Sequence, residues 1–200
     1  MKLIRTLIMT IGIIAILATF ALLLGYYLYS LSPWIHTRLI PVAVSAEAAQ
    51  SFDQKLGDAK AEIKAAVNAG QKKELTLSIS DKEVNSKVTQ IKAKGELPVR
   101  ELLINFGDGY FIIYAVVDTP GVNAKIGAIG RVEVVNGTPK IVITDFNLGK
   151  LPLPKTIKGR AEQILNIMVS LQLADVSLEI TNVQIKNHQL TITGTTKTSK

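Results

Sequence analysis

The sequence predicts an α+β fold: an N-terminal transmembrane helix, then one domain of curved antiparallel sheet packed with two or three helices. Three observations carry this. A long apolar run opens the chain, strand-like segments joined by short turns fill residues 99–148, and segments with apolar residues at helical spacing interrupt the strands. Helices interspersed with antiparallel strands pack as layers on such a sheet.

The first element is the apolar run. From Thr6 to Ile35 no side chain is ionisable, and Leu and Ile dominate. A hydrocarbon core of ~30 Å needs about 20 apolar residues in a helix, so a span near residues 6–32 crosses with tilt. Tyr26, Tyr27, Tyr29 and Trp34 cluster at one end, where amphipathic rings favour the interface. Pro33 cannot continue the helix and marks its exit. Lys2 and Arg5 precede the span and outweigh Arg38 beyond it, which places the N-terminus in the cytoplasm and the rest outside. A cleaved signal peptide is the competing reading. Its apolar region would be half as long, and Val44-Ser45-Ala46 lies far past the run.

Three regions follow: residues 1–34 as cytoplasmic tip and membrane anchor, 35–74 as neck and amphipathic helix, and 75–200 as the α+β domain. In the second, Phe52, Leu56, Ala59, Ile63 and Val67 form a helical stripe that ends at Gly70. Stalk and domain element are both open for this helix. Leu75, Leu77 and Ile79 alternate as a strand. Ser80 and Glu83 then form a capping box, with Ile79 and Val84 at staple positions. Val84, Val88 and Ile91 line that helix.

Residues 99–148 read as a meander. Gly107-Asp108-Gly109, Thr119-Pro120-Gly121 and Asn136-Gly137 supply the turns, the last a strong hairpin signal. Gly127 and Gly130 inside a strand predict a bulge or bend. An extended link at 149–154 leads to a helix near 155–172, and a hairpin turning at Asn187-His188 closes the chain.

The net charge is +7, and the basic residues outside the membrane flanks are dispersed. That balance does not announce a nucleic-acid binder; solubility explains it, and an anionic surface would also suit it. Cysteine is absent, which excludes disulfides, thiolate chemistry and cysteine-held metal. The two histidines, His36 and His188, sit at the membrane exit and in a turn. No phosphate-binding glycine loop or convergent acid–base set is visible. The reading is a non-enzyme without cofactor or metal.

The informative stretch is 109–117, which carries no charge and no apolar–polar alternation. A one-sided antiparallel strand alternates, so both faces of this one are sheltered. Tyr110, Ile112, Tyr114 and Val116 share one face; Phe111, Ile113, Ala115 and Val117 share the other. Helices cover one face, and the second cover is a lipid, a partner chain or a curled sheet; otherwise the strand is simply central and covered by the two helices. The candidate ligand-binding set is Tyr110, Ile112, Tyr114 and Val116 with Ile164, Met168 and Leu171 from the helix near 155–172.

The Ile-Ser-Asp-Lys-Glu-Val-Asn motif at 79–85, the Asn-Phe-Gly-Asp-Gly motif at 105–109 and the Gly-Lys-Leu-Pro-Leu-Pro link at 149–154 resemble bacterial membrane-anchored envelope proteins of the YpmS and LmeA-like type. The similarity covers roughly residues 75–196. It implies a phospholipid-binding domain similar to tubular lipid-binding architectures and brings no catalytic residues. The function expected is therefore an anchored extracytoplasmic module for phospholipid or another amphiphile, with membrane lipid as partner. The alternative is a non-catalytic scaffold that binds an envelope protein through the same sheet. A polyanion-binding envelope protein is a third reading.

Overall fold

The computed structural model describes residues 2–97, 99–119, 122–152, 155–174 and 177–197; within these, the side chains of 2–14, 119, 122, 152, 164 and 168–174 stay outside the description. The chain is α+β, with a long apolar N-terminal helix and, among the described residues, two open antiparallel sheets, three further α-helices and a short 3-10 helix.

Helix α1 (Lys2–Ser30) has 29 residues, about 43 Å at 1.5 Å per residue. It is long and apolar enough to cross a membrane. Pro33 lies just beyond its end and precedes a short 3-10 turn, Trp34–Arg38. Helix α2 (Ala46–Asn68) starts at Ser45, whose side chain accepts from the Ala48 amide, and it packs along α3 (Asp81–Ala93) and β1 (Glu74–Ser80). The capping box at the start of α3 is formed in both directions. The Ser80 hydroxyl accepts from the Glu83 amide at 3.2 Å, and Glu83 accepts from the Ser80 amide at 2.8 Å.

The meander comprises β2 (Glu101–Phe106), β3 (Phe111–Thr119), β4 (Val122–Val135), β5 (Thr138–Leu148) and the two-residue β6 (Leu151–Pro152). These form one sheet in sequence order. After α4 (Lys155–Ala174), strands β7 (Leu178–Lys186) and β8 (Gln189–Thr196) pair as a hairpin. Strand β1 joins β8, giving a separate three-stranded sheet in the order β1-β8-β7.

The antiparallel strands divide between two sheets, and the borders of the larger show how each is closed off. At the β2 edge, Asn85 of α3 donates to the Ile104 carbonyl at 2.6 Å and accepts from its amide at 2.9 Å. On the stretch of β5 that β6 does not reach, Asn166 of α4 does the same for Ile141, at 2.9 and 2.7 Å. Glu162 accepts from the Ile143 amide, and Lys158 donates to its carbonyl. An edge strand exposes unpaired amides and carbonyls that invite another strand. Here helix side chains occupy them.

The two sheets face each other at one end. Phe106, Phe111 and Ile185 form the buried centre, with Val84, Ile113, Val132, Ile141 and Leu190 around it. Among the described residues, two of the two-residue hairpin turns are left-handed at both positions: Asn136 (φ 52°) with Gly137 (φ 71°), and Asn187 (φ 51°) with His188 (φ 61°). That geometry fits strand twist and is uncommon for residues other than glycine, although Asn and His enter it more readily than most. Asp81 holds His188: its amide donates to the His188 carbonyl at 3.0 Å, and its carboxylate meets the ring Nδ1 at 2.9 Å.

Candidate ligand-binding site

The charge-free strand does have two covered faces, and the second cover is part of the chain itself. Ile112, Tyr114 and Val116 lie on one face, 3%, 3% and 6% exposed. Residues 33–40 run across it. Gly127, paired with Tyr114, has no side chain; a Cβ there would press on Pro33 and Ile35. Ile35 is fully buried. His36 meets the Tyr114 ring edge-on, centroids 4.8 Å apart. The Asn105 amide donates to the Ile40 carbonyl at 3.0 Å and accepts from the Ile40 amide at 2.9 Å. Burial raises the Tyr114 pKa, helped by the nearby Glu101 charge and opposed by a hydrogen bond with Ser32.

Tyr110 is set apart from its expected companions. It precedes β3, is 40% exposed, and its ring lies where a Cβ of Gly107 would sit. The backbone of residues 164, 168 and 171 is helical within α4, but the side chains of Ile164, Met168 and Leu171 lie outside the described residues. The structure thus brings Ile112, Tyr114 and Val116 together, beneath residues 33–40. On the opposite face, Phe111 enters the core, while Ile113, Ala115 and Val117 are half-buried.

An apolar cavity opens elsewhere, with a volume of about 760 Å³. Helix α2 forms one wall with Leu56, Ala59 and Ile63. The apolar face of the three-stranded sheet forms the second, with Leu75, Leu77, Ile180 and Ile192. Val132, Pro139 and Ile141 close the end toward the larger sheet. The helix stripe read from the sequence is therefore a cavity wall, which is why Leu56, Ala59 and Ile63 are half-buried rather than buried. Lys55, Asp58, Lys60 and Glu62 stand among the lining residues on the helix. The opposite face of the three-stranded sheet carries hydroxyls such as Thr76, Ser78, Thr191 and Thr193.

One polar node fixes the mouth of α2 against α3. The Glu83 carboxylate accepts from Ser51 at 2.6 Å and from Lys55 at 3.1 Å, besides its bonds to Ser80. Burial pushes this carboxyl up, but the Lys55, Ser51 and Ser80 donors more than reverse that and hold its pKa at about 2. Lys55 also donates to the Ser78 carbonyl, so one ammonium ties α2 to both β1 and α3.

Among the described residues no three His, Asp or Glu side chains converge as metal ligands would. The cavity's chemistry is apolar enclosure with charges on the helix beside it. Pockets of about 300–1,000 Å³ with mostly hydrophobic walls are the usual form of small-ligand sites. No protein-family model matches the chain, and no curated protein does.

Proposed function

We propose that this chain is a single-pass membrane protein whose extracytoplasmic domain binds phospholipid or another amphiphile. One observation carries the reading: the open apolar cavity of about 760 Å³ between α2 and the three-stranded sheet. Helix α1 supplies the anchor, and Lys2 and Arg5 in its first turns, ahead of the uncharged run, orient the domain outward.

Hydrocarbon in this cavity gains ~0.8 kcal/mol per methylene removed from water. Leu56, Ile63, Leu77 and Ile192 offer apolar contact but no directional bond, so the cavity selects for chain character rather than for a particular polar group. Lys55 and Lys60 of α2 suit an anionic headgroup at its edge. No step of bond making or breaking belongs to this reading.

Lipid analysis of the full-length protein, purified in mild detergent, tests it. Stoichiometric lipid surviving extensive detergent exchange is the expected result. A stable oligomer with no lipid would favour the scaffold reading instead.

A further inference from the structure

The domain does not hang from α1 on a free tether. The Lys150 amide donates to the Leu28 carbonyl at 2.9 Å, so a backbone group of the domain bonds the last turns of the apolar helix. Gly149 makes this approach feasible: a Cβ there would collide with the Leu28 and Tyr29 carbonyl oxygens. Its φ of 59° also suits glycine. The Gly149 amide donates to Lys125 at 2.7 Å, and the Lys125 ammonium reaches the Ser32 hydroxyl at 3.3 Å. Above this point residues 33–40 stay on the sheet, from Gly127 to Asn105.

Strand β4 therefore serves as a ruler. Lys125 stands level with Ser32, Gly127 with Pro33 and Ile35, and Ile129, paired with Ile112, with the Asn105–Ile40 bond. The chain leaving the helix climbs the sheet from Lys125 toward Ile129. Residues before Lys125 on β4, and Asp118 opposite Asn123, point back toward the helix. Each residue along a strand covers about 3.3 Å, so Asn123 lies ~7 Å below Lys125. Tyr26, Tyr27 and Tyr29 belong to the level where aromatic side chains meet lipid headgroups.

We infer that the lower rim of the five-stranded sheet, around Asp118, Lys125 and Lys150, is a membrane-contact surface seated in the headgroup layer of the leaflet that α1 leaves. This rests on α1 crossing the membrane. The partner is the lipid leaflet, as continuity with the span and the two lysines at its exit require. The opposite end of the sheet, at the Asn136–Gly137 turn, then points away from the bilayer.

Single cysteines test this in a chain that has none. Full-length Asp118→Cys, Lys150→Cys, Asn136→Cys and Ala18→Cys proteins are labelled with a small fluorophore and placed in phosphatidylcholine–phosphatidylglycerol vesicles containing a lipid-borne quencher. The expected result is strong quenching at 18, 118 and 150 and several-fold weaker quenching at 136. Quenching at 18 with 118 and 150 no different from 136 would overturn the surface while leaving the anchor intact. Absence of quenching at 18 would overturn the anchor reading and the surface with it. Gly149→Val, added to the 118 and 136 proteins, should reduce the difference between them by breaking the clamp. An undiminished difference in a folded Gly149→Val protein would contradict the role of the Lys150–Leu28 bond.

Discussion

Asn85 and Asn166 perform the same operation on opposite sides of the five-stranded sheet, Asn85 on the edge strand β2 and Asn166 on the stretch of β5 that β6 does not reach. Each amide exchanges two hydrogen bonds with the backbone of one edge residue, Ile104 for Asn85 and Ile141 for Asn166. Each also donates to the carbonyl four residues earlier in its helix, Asp81 and Glu162 respectively. A side-chain amide carries both a donor and an acceptor and so imitates a neighbouring strand. The helices cover edges that would otherwise recruit another chain.

Removing either amide leaves an amide and a carbonyl of the edge strand without this partner. Asn85 is 2% exposed and Asn166 is half-buried. Asn85→Ala should therefore cost more, about 2–3 kcal/mol, against about 1 kcal/mol for Asn166→Ala, following the usual penalty for unpaired buried polar groups. Denaturant unfolding measures both. Equal losses would show that burial does not set the difference.

Glu83 sets an acid limit. Its folded pKa of about 2 lies below the ordinary 4.5. A depressed carboxylate pKa contributes stability that is present above 4.5 and lost as pH falls from 4.5 through 2. With Lys55 43% exposed and its charge screened, the loss should be about 2 kcal/mol. Glu83→Gln should flatten this part of the pH–stability curve; an unchanged curve would mean that other carboxylates control it.

Ser80→Ala removes the hydroxyl that caps α3 and touches Glu83. Loss of such a cap costs ~1 kcal/mol. The unfolding midpoint of the full chain should fall accordingly, and an unchanged midpoint would contradict the cap's contribution.

Gly127→Val should push Pro33 and Ile35 off the sheet, since a side chain there occupies their space. Trypsin should then cut after the exposed Arg38 faster than in the wild type. An unaltered cleavage rate would show that the sheet accommodates the side chain without moving the neck.

The local elements were legible because their signals are local. Asn136-Gly137 gives a left-handed hairpin turn, and Ser80 with Glu83 gives a capping box, both within a few residues. The bulge expected inside β4 lies on its partner instead: Ile129 pairs with Asp145 and Gly130 with Ile143, which leaves Thr144 of β5 as the extra residue opposite Gly130, and Gly127 has a different task, making room for Pro33 and Ile35. That contact joins positions about 90 residues apart, and nothing near Gly127 announces it. The sheltered second face of β3 was legible from its missing alternation; the cover was not, because Pro33 read as the end of the anchor and residues 35–40 as a neck. The cavity was hidden for a similar reason. Its walls come from α2, β1, β7 and β8, each of which shows only an ordinary apolar stripe.

Photo-crosslinking tests the central claim most directly. Full-length protein is reconstituted with a phospholipid carrying a photoactivatable group on its acyl chain, irradiated, and mapped by peptide mass spectrometry. The account predicts adducts on the cavity walls, at residues 56–63 and 180–192, and their loss in a folded Ala59→Trp protein whose indole fills the space. Adducts confined to α1, with none on those walls, would contradict it.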